Sequence, residues 1–247
     1  MIQYAVATFY KFVNLPDYRE IQPTLLIECK RLEIKGTILL ADEGINATIS
    51  GRPENVSEFH RYLTSIPHFA DILFQITESD FVPFSKMKVR LKGEIVRLKA
   101  SGLDPTDPGI YLNAHEWNEL ITEPNVFVVD TRNYYEISFG SFKNAINPET
   151  RCFSEVISWL HDKLATRPKD SKIAMYCTGG IRCEKSTAYV KSMGFSNVYH
   201  LKGGVLKYFE DMKDRIEENL WDGLLYLFDD RIGVDKQLRP ARSTASI

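Results

Sequence analysis

The chain has 247 residues, 44% of them hydrophobic and 26% charged, with a net charge of −2. That length allows one large or two ordinary domains with a sizeable core, and the near-neutral charge means that a polyanion has to be met by a local basic patch. No apolar run approaches the ~20 residues that span a bilayer, and MIQYAVATFYKF lacks the basic start and cleavage site of a signal peptide, so the expectation is a cytoplasmic protein with no membrane partner.

In chain order, residues 4–12 read as a strand and residues 17–32 as a helical region interrupted near Pro23. Residues 35–41 and 45–50 are strand-like and joined by a tight turn at Asp42, Glu43 and Gly44. Residues 54–65 have helical spacing, with Val56, Phe59, Tyr62 and Leu63 on one face, and residues 72–77 form another strand. The order β, α, β, β, α, β predicts a ferredoxin-like α+β domain, its helices on one side of an antiparallel sheet.

Residues 85–99, SKMKVRLKGEIVRLK, hold six positive charges against one negative. Lys86, Lys88, Arg90 and Lys92 alternate with Met87, Val89 and Leu91, so a strand here buries one face and presents four cations on the other. Two readings stand: a nucleic-acid contact, or an edge strand kept soluble by lysines. Residues 100–109, ASGLDPTDPG, read as a linker, which predicts a first domain over 1–100, a linker over 101–109 and a second domain over 110–218.

The second domain alternates strands (110–112, 126–129, 173–176, 198–201) with helices (113–121, 153–165, 184–193, 205–213), which predicts an α/β domain built on a parallel sheet. Chemistry then gathers at the strands' carboxyl ends, at Asp130, Thr131, Arg132 and Cys177. Residues 219–247 supply two short strands about Asp229 and Asp230, then a polar tail from Lys236 that reads as disordered.

Four cysteines, Cys29, Cys152, Cys177 and Cys183, show no CxxC pair and no histidine at ligand spacing, so no metal site and no disulfide framework is indicated. Cys177 stands out among them. It lies in KIAMYCTGGIRCEKS, at the end of an apolar strand, with Thr178, Gly179, Gly180 and Ile181 curling into the next helix. Backbone N–H groups that converge there, with the helix N-terminus and Arg182, stabilise a thiolate or persulfide and lower the thiol pKa from ~8.5 toward neutrality. The alternative reading is a small buried cysteine at a strand end. Cys183 is a candidate resolving thiol or a core residue. Asp130 and Arg132 read as an ion pair bracing the loop, His200 as a core or surface histidine, and Glu43 and Asn46 as turn residues.

The pattern VVDTRNYYE, GSFKNAINP, YCTGGIRCEKS and VYHLKGGVLKY resembles a rhodanese domain. With GTILLADEGINATISG, PFSKMKVRLKGEIV and LFDDRI, nearly the whole chain is similar to the bacterial tRNA uridine-34 5-hydroxylases, whose N-terminal domain is acylphosphatase-like. The resemblance implies oxygen-dependent formation of 5-hydroxyuridine at the wobble position, with molecular oxygen as co-substrate and no other cofactor identified. It also implies Cys177 as the cysteine that would bear a persulfide, the anticodon stem-loop of tRNA as partner, and a sulfur-donor protein as a candidate second one. Many relatives continue with a cysteine-rich segment that these residues do not contain. Related phosphatases carry an arginine six positions after their cysteine, where this chain has Cys183, which disfavours phosphate-ester hydrolysis. A sulfurtransferase acting through a Cys177 persulfide is the alternative function, and an RNA-binding protein with a vestigial rhodanese module a third.

Overall fold

The computed structural model describes residues 3–100 and 102–241. Contacts divide them into two units: one holds the described residues up to Arg97 together with Asp229–Arg231, the other the rest from Leu98 onward.

In the first unit the strands are β1 (Tyr4–Phe12), β2 (Lys35–Ala41), β3 (Gly44–Gly51), β4 (Gln75–Ser79) and β5 (Met87–Leu91), and the helices α1 (Tyr18–Arg31) and α2 (Pro53–Thr64). The sheet order is β4-β1-β3-β2-β5. The first four strands are antiparallel neighbours, and β5 joins the β2 edge in parallel. This is the ferredoxin-like arrangement expected, with one strand added. Alternation along the strands sends Ala7, Phe9, Ile38, Leu40, Ile45, Ala47, Ile49 and Val89 to the helix side, where they pack with Leu25, Val56, Phe59 and Leu63. Gly44 has φ +133°, and a Cβ there would sit 2.0 Å from the Lys11 carbonyl oxygen, so only glycine lets the β2–β3 hairpin pack against β1.

Three expectations are corrected here. Helix α1 runs through Pro23 without interruption. The proline lies in the second turn, where its missing N–H leaves only a first-turn carbonyl without its helical donor. Strand β4 begins at Gln75 rather than Ile72, because Pro67–Phe69 forms a 3₁₀ turn and the Ile72 amide donates back to Phe69. The basic strand ends at Leu91, one residue short of Lys92, whose amide still donates to the Leu40 carbonyl of β2 at 2.8 Å.

In the second unit β6 (Ile110–Leu112), β7 (Phe127–Asp130), β9 (Ile173–Tyr176) and β10 (Val198–Leu201) form a parallel sheet ordered β6-β10-β9-β7. Short strand β8 (Gly140–Phe142) pairs with β11 (Trp221–Gly223), and β12 (Leu225–Tyr226) with β13 (Gly233–Val234). The helices are α3 (Ala114–Thr122), capped by Asn113, α4 (Tyr134–Ile137), α5 (Val156–Leu164), α6 (Ile181–Ser192) and α7 (Gly204–Met212). Ala174 and Tyr176 of β9 pack with Trp117, Val205, Tyr208 and Trp221, while the alternate residues Ile173 and Met175 face the other side of the sheet. Both faces are therefore covered, as unbroken apolar strands require.

The stretch expected as a linker is tied down at its end: Lys191 bonds Asp107 and the Pro108 carbonyl, and the Gly109 amide donates to Thr187 Oγ1. Ser101 lies outside the described residues. The polar tail is corrected in part. Asp235 accepts the amides of Gln237 and Arg239 and pairs with the Arg239 guanidinium, and Pro240 bridges to Val234, so residues 236–241 form an ordered turn. The remainder of that tail, residues 242–247, lies outside the described residues.

Candidate active site

Parallel pairing of β7 with β9 sets the site. Asp130 lies opposite Tyr176, so the segments 130–132 and 177–180 leave the sheet side by side. Thr131 fastens them, donating its amide and hydroxyl to the Tyr176 carbonyl at 3.0 and 2.9 Å. Helix α6 starts at Ile181, three residues earlier than periodicity suggests, so Arg182 and Cys183 sit in its first turn against the loop. Gly180, at φ +98°, is the turn-in residue.

Cys177 is fully buried, as the alternative reading of a buried strand-end cysteine had it. Its surroundings are polar donors all the same. The Gly180 amide donates to Sγ at 3.1 Å. Burial pushes the thiol pKa up, but the Cys183 hydrogen bond, the Arg182 charge and the amides of Arg182 and Cys183 outweigh it and hold the Cys177 pKa at about 6. Cys183 is its mirror image: buried and beside that anion, its thiol is driven well above the ordinary range, so it stays protonated as the donor. Cys183 Sγ also lies 3.8 Å from Thr131 Oγ1.

Arg182 turns its two terminal nitrogens onto Glu136, with Thr178 Oγ1 3.2 Å from Nη2. The Glu136 carboxyl, pushed up by burial, is held below the usual carboxylate range by that guanidinium. With those donors taken, Arg182 offers no two-pronged clamp to a phosphate ester. Asp130 and Arg132 form a second buried pair, Nη2 to Oδ2 at 2.6 Å. Arg132 also donates to the Gly140 carbonyl and lies over the Trp221 ring at 4.8 Å, so this pair ties β7 to β8 and β11. It touches neither sulfur directly.

The remaining expected residues fall elsewhere. His200 is buried in β10 under the Tyr111 ring at 4.2 Å. In the first unit, Lys86, Lys88, Arg90 and Lys92 are all exposed. Glu43 and Asn46 do more than shape the hairpin: Glu43 accepts the Ile95 amide and Asn46 donates to the Ile95 carbonyl, at 2.7 and 2.9 Å, gripping the segment after β5.

Sequence reasoning passed over Glu136 and the start of α7. Glu136 had a signal, since Asn133 and Glu136 have capping-box spacing that marks a helix start. Gly204 had the GG dipeptide alone. It approaches the loop so closely that a Cβ would lie 2.5 Å from the Cys177 oxygen and 2.7 Å from the Gly180 nitrogen. Behind it, the amides of Val205 and Leu206 donate to the carbonyls of Cys177 and Thr178, both at 3.0 Å.

A cysteine loop between a parallel strand and a helix, cradled by amides, defines the second unit as a rhodanese-like module. Residues 113–211 match the rhodanese-like domain, and residues 4–95 match the UPF0176 acylphosphatase like domain. The chain is 47% identical over 246 residues to a protein of Wolbachia pipientis wMel named tRNA uridine(34) hydroxylase, covering 100% of this chain and 88% of that one. It is 49% identical over 243 residues to the protein of the same name from Ehrlichia canis (strain Jake), covering 97% and 87%. A rhodanese-related protein from Thermoplasma volcanium aligns over 41% of this chain and 92% of that one, with 28% identity and a TM-score of 0.33. The chain belongs to the tRNA uridine(34) hydroxylase family.

Proposed function

We propose that this chain hydroxylates C5 of the wobble uridine of tRNA, giving 5-hydroxyuridine, with Cys177 as nucleophile and molecular oxygen as co-substrate. The observation that carries the reading is the Cys177 sulfur, which accepts the Gly180 amide at 3.1 Å, in a chain related along its whole length to proteins of that name.

C5 of uracil is a poor nucleophile until a group adds to C6. Attack of the Cys177 sulfur, or of a persulfide on it, at C6 moves the ring's electron pair toward C5 as an enolate. C5 then takes one oxygen atom from the oxidant. Loss of the C5 proton and expulsion of sulfur from C6 restore the ring. With molecular oxygen, the second atom leaves as water after accepting two electrons and two protons from a reductant outside the ring. Once Cys177 is expelled from C6, its thiolate and the Cys183 thiol supply both electrons and one of the protons, solvent supplies the other, and the two sulfurs end as a disulfide. If Cys177 works as a persulfide, a donor protein supplies the outer sulfur.

Because Sγ is enclosed, the base reaches it only when the loop opens. An unpaired anticodon-loop base leaves its stack at low cost. Asp130, Arg132 and Arg182 then act as positioning residues, and Lys86, Lys88, Arg90 and Lys92 hold backbone phosphates.

The test is mass spectrometry of wobble uridines in tRNA from cells carrying Cys177→Ser. The expected result is loss of 5-hydroxyuridine with tRNA binding retained, and product at the wild-type level overturns the mechanism. The same loop suits sulfur transfer. Turnover of thiosulfate with cyanide by the pure protein, alongside unmodified wobble uridines, would establish that second reading.

A further inference from the structure

Two motifs of the second unit take no part in the chemistry above: the paired tyrosines of NYYE and the LLYLF run of β12. The fold brings them together. Tyr226 is the hub, edge-on to Tyr135 at 5.5 Å, Phe139 at 5.1 Å and Phe228 at 5.2 Å between ring centroids. Tyr134 stands edge-on to Tyr135 at 5.7 Å. The inner rings are half-buried, while the two outer ones are left open: Tyr134 is 49% and Phe228 59% exposed.

Exposed aromatic rings packed edge-to-face on their neighbours are already oriented, so little freedom is lost when something stacks on them. The cluster is also continuous with the sulfur loop. Tyr135 precedes Glu136, whose carboxylate bonds Arg182 and Thr178, and the Asn133 side-chain amide donates to the Tyr135 hydroxyl at 2.7 Å. Beside Phe228, the Leu227 amide closes onto the Ile232 carbonyl. Ile232 is 52% exposed and sits at φ +63°, a conformation a β-branched residue adopts only where its surroundings impose it.

We infer that Tyr134 and Phe228 form a stacking platform for unpaired nucleobases flanking the target uridine, Phe228 being the principal contact. Stacking suits this task because every base has a π-face, so one platform serves tRNAs whose neighbouring bases differ. The inference rests on the wobble-uridine reading and adds residues that grip the loop without entering the reaction.

The test uses the full chain with an anticodon stem-loop carrying 2-aminopurine next to the wobble position. Wild type quenches the probe on binding. Phe228→Ala should abolish most of the quenching and raise KM for tRNA roughly 5- to 160-fold, the equivalent of ~1–3 kcal/mol per stacked base, with kcat little changed. Phe228→Trp should restore both, and Tyr134→Ala should show a smaller effect of the same kind. Unchanged quenching and KM in Phe228→Ala, with wild-type product formation intact, overturns the platform alone. If wild type forms no 5-hydroxyuridine yet Phe228→Ala still loses quenching, the activity reading fails and the platform stands. Should Phe228→Ala instead convert a dimer to a monomer at constant KM, the patch is a contact between protein copies and the inference is wrong.

Discussion

The guanidinium of Arg182 meets the carboxylate of Glu136 at two points, Nη1 to Oε2 at 2.7 Å and Nη2 to Oε1 at 2.8 Å, with both side chains buried. The pair fastens the first turn of α6 to α4. Removing one partner of such a pair leaves an uncompensated charge out of water. Glu136→Gln should cost roughly 3–5 kcal/mol in urea unfolding and reduce 5-hydroxyuridine formation. A loss below about 1 kcal/mol would mean that Arg182 finds water instead.

The acidity of Cys177 is directly measurable. Its pKa is lowered to about 6 from an ordinary ~8.5, so the 240 nm thiolate absorbance, taken as wild type minus Cys177→Ser, should rise with a midpoint near pH 6. The linkage has a definite sign. A thiol more acidic in the folded chain than in the unfolded one contributes stability that is fully present above pH 9 and fades as pH falls to 6. Wild type should therefore lose stability relative to Cys177→Ser across that window on acidification. A midpoint near 9 would show that the surrounding donors do not act on the sulfur.

Gly204 has φ +67°, and an added Cβ would press on the Cys177 and Thr178 carbonyl oxygens at 2.5 and 2.6 Å. Gly204→Ala should destabilise the chain by about 1–3 kcal/mol and move the Cys177 absorbance midpoint upward as the loop is pushed out of shape. An unmoved midpoint in a folded variant would show that the loop keeps its form without that glycine.

Charge reversal on β5 separates the two readings of the basic stripe. Lys88→Glu with Arg90→Glu should weaken tRNA binding and flatten its dependence on salt, by a slope change of about 1 for each phosphate no longer neutralised. Both residues are exposed on a strand at the sheet edge, where Gln22 already caps the Val89 carbonyl. An unchanged slope would leave the lysines as protection against edge-to-edge pairing.

Much of this architecture was legible because local signals agreed with it. Strands 4–12, 35–41, 110–112, 173–176 and 198–201 fall where alternation or unbroken apolar runs put them, and the helix expected over 113–121 is α3, capped by Asn113. The errors lie where a local rule met a tertiary override. Pro23 marks a break only where its missing N–H matters, and α6 begins at Ile181 because the loop glycines feed directly into it. Cys177 and Arg182 could be read from spacing, since both lie in one stretch. Glu136, Gly204 and Tyr226 could not be connected to them, because only the parallel sheet and the close approach of α7 bring those distant segments together.

The amides of Val205 and Leu206 hold the Cys177 and Thr178 carbonyls from behind. A peptide plane points its N–H away from its C=O, so anchoring these two oxygens also fixes the orientation of the Thr178 and Gly179 amides, the first links of the loop that leads to the Gly180 donor. The curve that carries the nucleophile is thus moored from its reverse side by the start of a helix far along the chain. A residue change at that helix start therefore reaches the sulfur through the shape of the loop, without any new contact to the sulfur itself.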